Sequence, residues 1–542
     1  ESVRHVFSLA LLNDYVIKFV CGRIQGWGMA ARRIRVPVCC VGIHDRAVFS
    51  REKNDAPASG VHGMGHWGNM STTKSVSLGN KIAYGFGSVA FGVKNNGFDY
   101  FFLIFYSQVM GVSAYLVSLA LLIALVFDAL SDPLIGYMSD NTRSRWGRRH
   151  PYMYAAAVPV ALGYYFVWNP PASLSGDELF PYIVGIAIFV RTLITLYEIP
   201  SSALVAEITD DYDERTNMLS FRYFFGWSGG TLMATFATMF LLVPTAEISN
   251  GMFNVEGHGQ VGFVAAWVIF LAIMASALGT HRLIPSLKSP PPRRNLSLKR
   301  IYQEIFETLA TRSFLALFLA ALFGAVGSGV AATLSYYIYT FLWEFSTQQI
   351  GFISISVVIS AMLGFMLSPF ISKTLGKKKG AILIGFLAFT VNPAPIVLRM
   401  MGFMPENGDP MLFPIILAII VIDVALIITY QTLSSSMIAD LVEEAEVKTQ
   451  RRSEGVFFAS VTFVRKVTQG LGAAFAGVIL TVSQFPVGAT PGDIPDSVMT
   501  DFVWIYVPTV FIVWMLMIAC ISMYSVDRSK HEANLAALGR SS

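Results

Sequence analysis

Apolar residues run along this chain in stretches of about twenty, separated by short polar joints. Wound as a helix, a stretch of that length covers the roughly 30 Å of hydrocarbon in a bilayer. The pattern predicts twelve such spans. Six lie at about 83–109, 113–139, 152–169, 181–208, 219–243 and 261–284. Six more follow at about 313–341, 348–373, 380–400, 411–441, 455–483 and 501–525. Between the two sets lies HRLIPSLKSPPPRRNLSLKRIYQEIFETLATR, which is Pro-rich, then basic, then amphipathic, and reads as a linker with a surface helix. The expected fold class is therefore an all-α polytopic membrane protein with two six-helix bundles. The bundles take 70–285 and 313–526, joined by a central cytoplasmic loop at 286–312 and followed by a cytoplasmic tail at 527–542.

Composition agrees with the pattern. Of 542 residues, 54% are hydrophobic and 14% charged, whereas a soluble domain carries about 25% charged residues. Residues 1–69 differ from the rest: they mix Arg, Gly and His without sustained periodicity. The short apolar patch 6–12 is broken by Asp14 and makes a poor signal peptide, so 1–69 is read as an N-terminal extension, non-native or disordered. The chain from Met70 onward reads like the start of a bacterial inner-membrane protein. Cys21, Cys39, Cys40 and Cys520 show no CxxC spacing, which argues against a disulfide framework or a metal cluster.

The joints alternate in charge. Those after the second, sixth and eighth spans carry RSRWGRRH, KSPPPRRNLSLKR and GKKKG, while NPPASLSGDELF, VPTAEISNGMFNVEGHGQ and SQFPVGATPGDIPDSVMTD contain no Lys or Arg. Lys and Arg collect on the cytoplasmic side, so both termini are expected there. An internal echo also appears. AEITDDYDERTNMLSFR after span four resembles ADLVEEAEVKTQRRSEGVFF after span ten, and the two joints after spans two and eight echo more weakly. Two parallel six-helix repeats of this kind are characteristic of transporters of the major facilitator type.

Ionisable residues inside the spans carry the chemistry. Each costs about 2.5–3.5 kcal/mol to insert at mid-membrane, so each is a functional candidate. Asp128 and Asp132 in FDALSDPLIGYMSDNTRSRWGRRHP are one helical turn apart and stack on one face. Two adjacent carboxylates repel unless a cation or a proton neutralises them. Ser131 lies between them in sequence, and Pro133 frees a backbone carbonyl one turn earlier. The alternative is that both acids merely cap the end of the span. Arg191, Thr195 and Glu198 lie in span four, Arg222 opens span five, and Arg465 and Lys466 lie in span eleven. Together these offer acids and bases to a shared cavity, with a purely structural ion-pair lattice as the rival. Lys94 and Asp99 are five apart in span one and need not share a face, and Asp423 in span ten stands alone. The glycines of YGFGSVAFG lack nucleotide-binding spacing and are read as helix-packing positions.

The segments DALSDPLIGYMSDNTRSRWGRR, YEIP with AEITDDYDERTNMLSFR, and ADLVEEAEVKTQRRSEGVFFASVTFVRK resemble the glycoside–pentoside–hexuronide:cation symporters, the melibiose permease family, over about 78–526. The resemblance implies that Asp128 and Asp132 bind the coupling cation, Na⁺ or H⁺, with Ser131, Thr195 and Thr462 nearby. It implies that Glu198, Arg222 and Lys466 serve the substrate. The basic loop would belong to a cytoplasmic gate formed by Asp140, Arg143, Arg145, Arg148 and Arg149, with Asp440, Arg452 and Glu454 in the second half. Two departures stand out. On an ungapped reading the family's first-helix sugar-binding aspartate falls at Gly92, and the aromatic one turn after the span-four acid falls at Ser202.

The resulting expectation is a cation-coupled symporter of a sugar, glycoside or uronide, working by alternating access, without cofactor or nucleic-acid partner, as a monomer surrounded by membrane lipid. A lysolipid-like or organic-anion substrate is the first alternative, and a non-transporting membrane sensor of the same fold the second. The sequence offers no nucleophile–base set, so an enzyme is not expected.

Overall fold

The computed structural model describes residues 76–209, 212–287, 312–449 and 471–524. These residues form helices joined by loops and turns, and no strand occurs among them. The helices are α1 (78–109), α2 (Ala114–Asn141), α3 (His150–Trp168), α4 (Phe180–Ile208), α5 (212–241) and α6 (Val255–His281). The second set is α7 (312–342), α8 (Thr347–Leu375), α9 (Lys377–Met400), α10 (Leu412–Thr449), α11 (Leu471–Val482) and α12 (Asp496–Ser522).

Among the described residues, eight helices are long and apolar enough to cross a membrane. Three helices show why pattern and structure differ. α1 is broken by π-turns at Gly97–Phe101 and Phe105–Val109. α5 begins at Tyr212, several residues before the expected span, because the polar run YDERTNMLSFR is itself helical. α10 likewise runs on to Thr449 and takes the acidic ADLVEEAEVKT stretch into the helix. Large apolar side chains such as Phe365, Phe403 and Trp504 point outward, as a lipid-facing surface requires. Trp227 is outward too, while Tyr84, Tyr164 and Trp168 are buried helix contacts.

The internal repeat is visible in backbone detail. At the end of α1, Met110 N–H donates to Phe105 O and Val112 N–H to Tyr106 O. At the end of α7, Trp343 N–H donates to Ile338 O and Phe345 N–H to Tyr339 O, the same offsets. The next position has positive φ in both turns, +74° at Gly111 and +51° at Glu344. A serine then caps the following helix: Ser113 accepts from Leu116 N–H and Ser346 from Gln349 N–H. The α1–α2 and α7–α8 corners are thus one structure used twice. Helix pairing repeats as well, with α2 against α4 in the first half and α8 against α10 in the second.

The basic joint 142–149 and the Lys377–Lys379 run mark one end of the helices, here the basic end. At the opposite, far end the halves meet. Gln108 Nε2 donates to Pro486 O at 3.2 Å and to Tyr337 Oη at 3.5 Å, and its Oε1 accepts from Ala489 N–H at 3.0 Å. Asn250 Nδ2 donates to Phe345 O at 3.4 Å, and the rings of Phe253 and Phe341 meet edge to face. Phe101 packs on Tyr336 across the same boundary.

Candidate functional site

The site grows from two facing helices. Asp128 on α2 is 2% exposed. Opposite it, α4 presents Arg191 and Thr195, which are four apart and so share a face. Thr195 Oγ1 donates to Asp128 Oδ1 at 2.9 Å, and Arg191 Nη2 reaches Asp128 Oδ2 at 3.4 Å. The Arg191 carbonyl lies 3.0 Å from the same hydroxyl, so the one Thr195 proton is shared between the two acceptors. The Arg191 guanidinium lies 5.5 Å from the centre of the Phe98 ring on α1. Asp132 lies one turn further toward the basic end and is half-buried. Ser131 donates to the Asp128 carbonyl at 3.0 Å, so its hydroxyl lies along the helix backbone. Asp128 and Thr195 bring carboxylate and hydroxyl oxygens, the donor type hard cations take, to one point between the helices.

A second group lies beside Pro200, one turn along α4. Arg222 of α5 is buried, with Nη1 donating to Ser201 Oγ at 2.9 Å and Nη2 to the Glu198 carbonyl at 3.4 Å. Ser201 Oγ donates to that same carbonyl at 3.1 Å. Pro200 lies inside the continuous α4 helix and removes one backbone donor there. Ser202, where the family's aromatic would fall, lies under Tyr84 of α1, whose hydroxyl meets its carbonyl at 3.5 Å.

Gly92 has no room for the side chain that the ungapped reading would put there. A Cβ at Gly92 would collide with the Gly226 carbonyl oxygen of α5. Gly85 and Gly230 sit on the same α1–α5 seam, the close approach that small residues permit. Gly92 is therefore a packing position, and Lys94, two residues on, is the buried ion of α1, its ammonium 4.9 Å from the centre of the Phe91 ring.

At the basic end, the gate candidates divide. Arg148 Nε and Arg149 Nε both donate to Glu207 Oε1, at 2.7 and 2.8 Å. Arg149 also donates to Ser139 Oγ at 2.7 Å and pairs with Asp140. This knot ties the α2–α3 joint to the end of α4. Arg143 and Arg145 are exposed, and Arg145 lies over the Trp146 ring. Asp440 lies on α10. Arg452, Glu454, Thr462 and Lys466 lie outside the described residues, as does Arg465.

Sequence reasoning singled out Arg191 without giving it a partner, and it passed over Glu207, Ser201 and Gln108. A buried arginine one turn before Thr195 is the signal that could have flagged the first. Asp423 has one partner, Asn392, whose Nδ2 donates to its Oδ2 at 2.7 Å and ties α9 to α10, while its Oδ1 is buried without a hydrogen-bond partner.

Two repeated helical halves around buried charges define a polytopic membrane transporter of the major facilitator fold. The chain belongs to the family described as MFS/sugar transport protein, matched over residues 83–528. It is 26% identical to the uncharacterized symporter sll1374 of Synechocystis sp. over 531 residues, covering 83% of this chain and 94% of that one. It is 24% identical to the isoprimeverose transporter of Lactiplantibacillus pentosus over 419 residues, covering 75% and 80%. Its fold is similar to the inward open conformation of the xylose transporter XylE from E. coli, with TM-score 0.53 and 15% identity, covering 84% and 98%. The family consists of transporters, not enzymes.

Proposed function

We propose that this chain is a symporter that moves a sugar, glycoside or uronide together with Na⁺ or H⁺. The single observation that carries this reading is the α2–α4 junction, where Asp128 is engaged by Thr195 at 2.9 Å with Asp132 one turn away. A buried carboxylate with a half-buried one a turn away carries more negative charge than Arg191 alone offsets, and a coupling cation meets the remainder. Thr462, outside the described residues, joins this oxygen set on the family resemblance alone. Glu198, Arg222 and Lys466 then hold substrate hydroxyl or carboxylate groups beside the cation. The names of the two relatives support symport and a sugar-type cargo.

The basic end faces the cytoplasm in this reading, because Lys and Arg concentrate there. The far-end contacts of Gln108, Asn250 and Phe253 then close the outer side, and the halves rock about the charged site. The cation tightens substrate binding and the substrate tightens cation binding by the same factor. Uptake of a sugar panel into vesicles under an imposed Na⁺ or H⁺ gradient tests the proposal. Asp128→Asn and Asp132→Asn are each expected to abolish gradient-driven uptake. Undiminished gradient-driven uptake in both variants sinks the assignment.

A further inference from the structure

Both oxygens of Asp128 are already engaged from one face of α4, Oδ1 by the Thr195 hydroxyl and Oδ2 by the Arg191 guanidinium. A cation arriving at Asp128 therefore meets a cation that is part of the protein. The bond to Arg191 is 3.4 Å, long beside the about 2.7–2.9 Å of a strong charge-assisted pair. Arg191 Nε is buried with no hydrogen-bond partner, and the guanidinium also rests against the Phe98 ring at 5.5 Å. Breaking a buried ion pair is strongly destabilising, so Arg191 leaves Asp128 only when another cation takes its place. Withdrawn along the ring, it gives up its contact with Asp128 Oδ2.

We infer that Arg191 is a tethered counter-cation that competes with the coupling cation for Asp128 and sets its affinity and selectivity. The inference rests on the reading of Asp128 as a cation-site carboxylate. With Arg191 in place, Asp128 is neutralised while the site is empty, which avoids an uncompensated buried charge. The coupling cation displaces Arg191, and its return expels the cation. A side chain that only braced α4 against α2 would have the opposite consequence on removal: a looser site and weaker cation binding.

The test is equilibrium binding of ²²Na⁺ to the purified full-length protein in lipid nanodiscs, with a thermal melt of each variant. Arg191→Gln and Arg191→Met remove the charge in two shapes, and Arg191→Lys retains it. Both neutral variants are expected to bind Na⁺ at least about ten-fold more tightly than wild type, which corresponds to about 1.4 kcal/mol. Arg191→Lys is expected to stay nearer wild type. Unchanged or weaker Na⁺ binding in a folded neutral variant overturns the inference. So does loss of folding in both neutral variants with Arg191→Lys intact, since Arg191 would then be a fixed structural partner. Asp132→Asn separates the two ideas. If it abolishes wild-type Na⁺ binding while Arg191→Gln changes nothing, the cation site stands and only the role of Arg191 falls. If Asp128→Asn and Asp132→Asn leave Na⁺ binding untouched, the site itself is misplaced.

Discussion

The side-chain amide of Gln108 accepts a hydrogen bond from the Ala489 backbone N–H at 3.0 Å, joining the end of α1 to the segment between α11 and α12. Its amide nitrogen bonds to Pro486 and Tyr337 in the same half, so one glutamine spends both ends of its amide across the boundary. Leaving its partners unpaired, one buried and two half-buried, costs up to about 1–3 kcal/mol. Gln108→Ala is therefore expected to shift the closed-to-open ratio at the far end roughly ten-fold toward open. Spin labels at Ser173 and Thr490, on loops of the two halves, read this as a new longer-distance population. An unchanged distance distribution would mean that Gln108 does not hold the halves together.

Glu207 is the acid on which two arginines converge, and it is 4% exposed. Removing one partner of a buried ion pair strands the others, at about 3–5 kcal/mol. Glu207→Gln is expected to lower the melting temperature clearly, while Arg145→Ala, at an exposed position, stays within about 0.5 kcal/mol of wild type. Equal melts for the two variants would show that the knot does not stabilise the fold.

Much of this was legible in the sequence, and what was not has physical causes. Asp128 and Asp132 announce themselves because carboxylates in an apolar span are rare and their spacing equals one helical turn. The span boundaries near α5 and α10 were not legible, because a charged segment such as YDERTN or EEAEVKT reads as a joint even when it is helical. The register at Gly92 was hidden because a glycine's neighbour across a seam, here Gly226, leaves no periodic trace. Gln108 was hidden for a simpler reason: a lone amide at a span end is ordinary until its partners in the other half are seen.

The proposed orientation rests on charge alone and is open to direct measurement. With the four native cysteines replaced, single cysteines at Ser173 and Thr490 are expected to react with an impermeant maleimide in intact cells. Cysteines at Ser144 and Thr374, near the basic joints, are expected to react only after permeabilisation. The reverse pattern would turn the protein over in the membrane and exchange the inner and outer gates.

The repeated corner gives the last prediction. Gly111 and Glu344 occupy the same position in the two corners, and both have positive φ. Glycine takes that conformation without a Cβ clash, whereas an L-residue with a side chain loses about 1–2 kcal/mol there. Glu344 is exposed and the turn is held by backbone bonds from Trp343 and Phe345, so its side chain is not what keeps the corner in shape. Glu344→Gly is therefore expected to relieve strain and raise the apparent melting temperature, less the small entropy that a glycine adds to the unfolded chain. Gly111→Glu is expected to lower it by a similar amount, since it installs in the first corner the strain the second already carries. A lower melt for Glu344→Gly would mean that the Glu344 side chain holds something the corner needs, and that the strain at +51° is maintained for it.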